Sequence, residues 1–207
     1  MKLYPVHLQL EGKQTLVVGG GPVAAMKASA LLQGGANVRV IATALSDEMN
    51  CLAEQSALNP EVRKFVPNDL DNVWLVVAAT DSSEVHQQIY EEATRRDMLV
   101  CIVDDPSRSN FIVPAVLRRG DLLVTVSTSG IAPALAARLR DFLGEIIDGQ
   151  YGEVLVKLHA VREHLRQKYP DFVERREAWY QLLDSEVLPA LRRGEVPSLQ
   201  RYDQEAS

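Results

Sequence analysis

Six consecutive residues carry the clearest chemistry in the chain. Gly19-Gly20-Gly21-Pro22-Val23-Ala24 fits the spacing G-x-G-x-x-G/A. In that pattern the first glycine allows a tight turn out of a strand and the second lets backbone approach a pyrophosphate. The last small residue lets the following helix pack close to the sheet. Those positions are Gly19, Gly21 and Ala24. Pro22 donates no N–H but suits a first helical turn. With Val23 it opens a helix whose free N–H groups and dipole attract phosphate. The pattern alone is weak, because a glycine-rich turn in a nucleotide-free domain has the same letters. Its setting strengthens it. The strand-like QTLVV at 14–18 leads in, an alanine-rich helical pattern runs from Val23 to Leu32, Gly34 and Gly35 close it, and NVRVI at 37–41 follows. A β-α-β unit of about 30 residues is the size a parallel crossover requires.

Other candidates surround this loop. About 20 residues past it, dinucleotide-binding domains often place an acid for the ribose 2′-OH. Here stand Ile41, Ala42, Thr43 and Ala44, so Thr43, Ala44 or local backbone is left to contact the adenosine. Arg39 is a candidate for a 2′-phosphate, but within a strand a solvated or helix-packed arginine is favoured. Thr80 and Asp81 end the apolar run VWLVVAAT, beside the expected cofactor cleft or as a cap for the next helix. Asp104 follows the apolar VCIV, with Asp105 the fallback, and an acid there serves either acid–base chemistry or a plain turn. Thr128, Ser129 and Gly130 follow Ser127 ahead of a helix, where hydroxyls and N–H groups suit carboxylate binding or capping. The histidines His7, His86, His159 and His164 show no metal-site spacing, and no fixed metal is expected. Cys51 and Cys101 are far apart and read as buried free thiols.

These residues need a scaffold, and the hydrophobic pattern supplies one. Strands are expected at 14–18, 37–41, 61–66, 73–80 and 98–103, and helices at 23–32, 45–57 and 82–96. That alternation implies an α/β fold: a Rossmann-type doubly wound parallel sheet. After Asp104 the pattern changes. FIVPAVLRR and LLVTVST read as consecutive strands turning at Gly120-Asp121, and a helix opens near Pro133. Beyond Gly149 the chain reads as helical over 152–168, 171–183 and 185–193, punctuated at Pro170 and Asp184. The last few residues read as disordered. The expected domains are a dinucleotide-binding domain over 1–112, a linking segment over 113–148 and a small helical C-terminal domain over 149–207.

Three segments together resemble a known family. GGGPVAAMKASALLQGGANVRVIA, then VVAATD at 76–81, then VDDPSRSNFIVPAVLRRGDLLVTVSTSGIAPALAARLR at 103–140 are similar to precorrin-2 dehydrogenase, the N-terminal module of siroheme synthase, also known as a stand-alone protein. The resemblance covers most of residues 1–150, and 111–140 is its most specific part. It implies a homodimer with 113–148 as dimerisation segment. It implies NAD-dependent oxidation of the tetrapyrrole precorrin-2 to sirohydrochlorin and, in some members, ferrous iron insertion to give siroheme. It places the family's catalytic aspartate on Asp104 and turns the Thr128–Gly130 loop to the tetrapyrrole. Arg108, Arg138 and Arg140 lie near the segment that would meet the substrate's carboxylates, with none singled out. Met26 stands before Lys27 where arginine is common in the family, and Thr128 where serine is frequent.

Composition narrows the alternatives. With 46% hydrophobic and 24% charged residues the chain can bury an ordinary core. A net charge of −6 argues against general attraction to nucleic acid. No apolar run is long enough for a membrane span and MKLYPVHLQLEGK lacks a signal-peptide core, so a cytoplasmic protein is expected. Two other functions fit the same residues: a non-catalytic NAD-binding sensor, and a chelatase without dehydrogenase activity.

Overall fold

The computed structural model describes residues 2–56 and 58–202. The disorder expected for the last few residues, and Ala57 at the end of the second expected helix, lie outside the described residues. The chain divides into two compact units, Met1–Val113 and Pro114–Ser207.

The first unit is a five-stranded parallel sheet. Its strands are β1 (Gln14–Val18), β2 (Asn37–Ala42), β3 (Glu61–Val62), β4 (Leu75–Ala78) and β5 (Leu99–Ile102), in the order β3-β2-β1-β4-β5. Its helices are α1 (Pro22–Gln33), α2 (Asp47–Ser56) and α3 (Ser83–Arg95). Alternate residues of each strand feed opposite cores. Leu16, Val18, Ile41, Val76 and Ile102 pack with Ile89 and Ala93 of α3. Val17, Val40, Val77 and Cys101 pack with Ala24 and Ala28 of α1 and Met49 of α2. Both faces are covered, and for that reason the strands read as unbroken apolar runs. α1 stops where expected. Gly35 at φ +79° reverses the chain, while its N–H meets Leu32 O at 2.9 Å and the Ala36 N–H meets Leu31 O at 3.1 Å, the paired bonds of a Schellman motif.

Two strands are shorter than their apolar patterns. The third covers only Glu61–Val62, because Asp69 captures the Arg63 side chain and the Val66 N–H and turns the backbone away at Pro67. The fourth pairs only from Leu75 to Ala78, since Thr80 to Ser82 turn into α3.

The second unit begins with an antiparallel hairpin, β6 (Ala115–Arg119) and β7 (Leu122–Val126), turning at Gly120. Then come α4 (Pro133–Ile146), α5 (Gly149–Lys168), α6 (Phe172–Leu182) and α7 (Leu188–Arg192). The α5 helix seats Gly152 against the hairpin, where a Cβ would lie 2.5 Å from Arg119 O. A core of Val154, Val161, Leu165, Leu182, Val187 and Leu191 joins the last three helices. Pro170 separates α5 from α6 as expected, but Asp184 separates nothing. The chain runs helically from α6 into α7 through a π turn at Leu183–Val187. Pro189 lacks an N–H and crowds the carbonyl four residues back, so the helix widens by a residue there and continues.

Candidate functional site at the carboxyl edge of the sheet

The strand order reverses between β1 and β4: from β1 the chain builds toward β3, and from β4 toward β5. Open α/β sheets bind ligands outside the carboxyl ends of the strands at such a point. The loops after β1, β4 and β5 emerge there side by side. They carry Gly19–Ala24, Thr80–Asp81 and Asp104. Thr43 and Ala44 follow β2 on the same edge and are exposed.

The three glycines do different work. A Cβ on Gly19, whose φ is +133°, would stand 2.1 Å from Ala79 O. That glycine lets the β1 and β4 loops touch. A Cβ on Gly20 would stand 2.0 Å from Ala44 O and 2.8 Å from the Ala42 Cβ, so Gly20 seats the loop after β2. Around Gly21 nothing lies within 4 Å of the Cβ position. Gly21 is the N-cap of α1, supplies no side-chain cap, and precedes Pro22 at the first helical position. The first helical bond runs from the Ala25 N–H to Gly21 O at 3.0 Å. The N–H groups of Val23 and Ala24 lie ahead of it, in the turn where donors have no intrahelical partner. Open space above a cap without a side chain, facing first-turn donors, fits a pyrophosphate. Ala24 is fully buried against the sheet, the close packing its small side chain permits.

Thr80 is half-buried and Asp81 exposed. The cap of α3 is Ser82, whose Oγ accepts from the Val85 N–H at 3.3 Å, while Thr80 Oγ1 accepts from the Ser82 N–H at 3.4 Å. Capping therefore falls to Ser82, one residue past the pair singled out in the sequence.

The turn after β5 separates two neighbouring acids. Asp105 is committed: it accepts from the Ser107 and Arg108 N–H groups and pairs with Arg108 Nε at 2.6 Å. Ser107 and Arg108 together hold its carboxyl down to about 2. Asp104 is exposed at the tip of the turn, with φ at +61°. Aspartate tolerates this left-handed conformation better than most residues, as Asp97 does in the turn after α3. Ser109 and Asn110 set the turn. Ser109 Oγ accepts from the Ile102 N–H at 2.9 Å, and Asn110 Oδ1 from the Val100 N–H at 2.9 Å. Asn110 Nδ2 donates to Met98 O at 2.8 Å. These side chains occupy the free edge of β5 as a sixth strand would. Sequence analysis missed both, although Ser and Asn after a turn proline are the types that bond backbone locally.

His86 stands in the first turns of α3, and its Nε2 is buried without a hydrogen-bond partner among the described residues. Burial first, then the Arg108 charge, lower its pKa, against opposing pulls from the Thr80 backbone, Asp105 and Asp81. Of the three arginines near the expected substrate segment, Arg108 is held by Asp105 and Arg140 pairs with Asp141 at 2.6 Å. Arg39 is partly exposed, as expected, but not free: it pairs with Glu61 at 2.9 Å. Of the cysteines, Cys101 is buried, and burial pushes its thiol up. Cys51 is exposed, contrary to expectation, because α2 buries only Met49.

Thr128, Ser129 and Gly130 belong to the second unit. Thr128 Oγ1 accepts from the Ala132 N–H at 3.1 Å, and Ser129 and Gly130 both have positive φ, +56° and +80°. The N-cap of α4 is Ala132, which makes no side-chain cap. The threonine thus ties the loop together and leaves the helix end uncapped. Among the described residues no group of His, Cys, Asp and Glu is arranged to hold a metal ion, and no helix is long and apolar enough to cross a membrane.

Comparison with known proteins agrees with this geometry. Residues 6–115 match a family model for NAD(P)-binding domains, and residues 150–206 match the sirohaem synthase dimerisation region. Siroheme synthase 3 of Aeromonas hydrophila is 38% identical over 199 residues, covering 96% of this chain and 42% of its own length. Siroheme synthase of Chromobacterium violaceum is 35% identical over 195 residues, covering 94% of this chain and 42% of its own length. The chain thus spans about two fifths of the curated relatives it matches. Among solved structures, SirC, a precorrin-2 dehydrogenase, superposes with a TM-score of 0.78 at 28% identity, covering 98% of this chain and 96% of that one. The chain belongs to the NAD(P)-binding family, and here that domain precedes a sirohaem synthase dimerisation region.

Proposed function

We propose that this chain is an NAD-dependent precorrin-2 dehydrogenase that makes sirohydrochlorin and acts as a cytoplasmic homodimer. One observation carries the proposal: an open glycine cradle and an exposed carboxylate stand on the same edge of one sheet, at the ends of β1 and β5, with β4 between them. In this reading Gly19, Gly21, Pro22, Val23 and Ala24 hold the pyrophosphate, Thr43 and Ala44 meet the adenosine, and Thr80 and Asp81 flank the nicotinamide end. NAD, when bound, takes up the hydride that the substrate loses. Asp104 accepts the accompanying proton on a carboxylate oxygen. Its neighbour Asp105 is the poorer base, because Ser107 and Arg108 hold its carboxyl down to about 2 and occupy its oxygens. Thr128, Ser129 and Gly130 offer hydroxyl and N–H donors to the substrate's carboxylates. If ferrous iron is a second substrate, Asp104 would take the pyrrole protons that the metal displaces.

The SirC likeness, the siroheme synthase relatives and the dimerisation region in the tail all support this reading. The proposed division of labour is cofactor binding by 1–112, dimerisation by 113–148 and a helical domain over 149–207. Because the family match for dimerisation covers 150–206, the tail is proposed to contribute to the dimer as well. The test is an anaerobic assay of precorrin-2 with NAD, following NADH and sirohydrochlorin, for wild type and Asp104→Ala. The variant is expected to lose about 10²-fold or more in turnover with NAD affinity unchanged. Equal turnover would move the acid–base role elsewhere. NAD binding without wild-type turnover would favour the sensor, and tetrapyrrole binding without NAD binding the chelatase.

A further inference from the structure

The glycine loop leaves one requirement of dinucleotide recognition open. In this fold an acid at the end of the second strand meets the ribose 2′-OH, or a nearby arginine receives a 2′-phosphate. Residues 41–44 of this chain supply neither. The neighbouring strand supplies both. β3 pairs with β2 so that Glu61 lies opposite Ile41, and the Arg63 N–H donates to Ala42 O at 2.8 Å. Glu61 and Arg63 therefore flank the carboxyl end of β2.

Their side chains form a closed ion network. Glu61 Oε1 accepts from Arg39 Nη2 at 2.9 Å and Nε at 3.3 Å. Its Oε2 accepts from Arg63 Nη2 at 2.7 Å and Nε at 3.0 Å. Arg63 grips Asp69 as well, at 2.6 and 2.8 Å, and Asp69 is only 6% exposed. Two cations and two anions sum to zero charge. Each guanidinium faces a carboxylate at bonding distance, the arrangement that matches arginine best. Arg39 and then Arg63 lower the Glu61 pKa. Asp69 and then Glu61 raise that of Arg63.

We infer that Glu61, acting through Arg39, makes this chain prefer NAD to NADP. It is a specificity residue that need not touch the cofactor. It keeps Arg39 occupied while Asp69 holds Arg63, so a 2′-phosphate would find no free guanidinium and would have to displace Glu61 from Arg39. The inference rests on the proposed NAD site. Its test separates the two. Affinities of the full chain for NAD and NADP are measured by titration calorimetry in wild type, Glu61→Gln, Glu61→Ala and the double variant Glu61→Gln/Arg39→Met. Wild type is expected to bind NAD at least about tenfold more tightly than NADP, the size of one charge-assisted bond. Freeing Arg39 in Glu61→Gln or Glu61→Ala should tighten NADP about tenfold and change NAD less than about twofold. The double variant should lose the gain. The partly exposed pairs contribute little to stability, so the variants are expected to fold. Equal wild-type affinity for the two nucleotides, or an unchanged ratio in a folded Glu61 variant, overturns the inference. Wild type binding neither nucleotide overturns the NAD reading itself.

Discussion

In a Gly21→Ala variant the new methyl stands in open space. No heavy atom lies within 4 Å of the Cβ position, and the backbone there, φ −80° and ψ −179°, is ordinary for alanine. Folding should be kept, because the gain of about 0.4–1 kcal/mol from reduced unfolded-chain freedom is offset by the poorer N-cap that alanine makes. Binding should suffer. The methyl occupies the space through which a pyrophosphate would approach the Val23 and Ala24 N–H groups. Overpacking of a close contact costs about 1–3 kcal/mol, so NAD affinity should fall about 5- to 150-fold. Gly19→Ala gives the opposite pattern. Its methyl would meet Ala79 O at 2.1 Å with φ at +133°, so stability itself falls, by about 2–4 kcal/mol. Urea unfolding and NAD titration on both variants make the comparison. Unchanged NAD affinity in a stable Gly21→Ala protein would refute the assignment of that open space to the cofactor. Unchanged stability in Gly19→Ala would refute the account of how the β1 and β4 loops meet.

Two further outcomes test the turn that carries Asp104. Asn110→Ala removes one bond to the Val100 N–H and one to Met98 O. It should cost about 1–3 kcal/mol in urea unfolding and lower kcat by loosening the turn, with NAD affinity kept. Asp105→Asn should cost about 1 kcal/mol at neutral pH, because the shift from 3.8 to about 2 is discounted for solvent screening around a surface pair. The sign follows from the depressed pKa. The wild-type advantage is complete above the unfolded value near 3.8 and is lost as pH falls through about 2, so the two melting curves should converge in acid. A difference that grows toward low pH would contradict this.

Local physics made much of this protein legible without coordinates. Strands buried on both faces must be apolar throughout, and a parallel sheet needs helices between its strands, so β1, α1, β2, β4, α3 and β5 stood out by pattern. The glycine loop was legible because backbone approach to phosphate demands missing side chains at set spacings. What local pattern could not decide was pairing between distant residues. Asp69 shortened β3 by capturing Arg63, and Pro189 opened a π turn where Asp184 promised a break. The roles of the three glycines depended on which carbonyls other strands brought beside them, Ala79 O for Gly19 and Ala44 O for Gly20. Asp104 and Asp105 are indistinguishable as adjacent letters. Only the folded turn, in which Arg108 and Ser107 reach back to one carboxylate and leave the other exposed, tells the two acids apart. Charge networks and close approaches are set by three-dimensional register, which one-dimensional spacing does not encode.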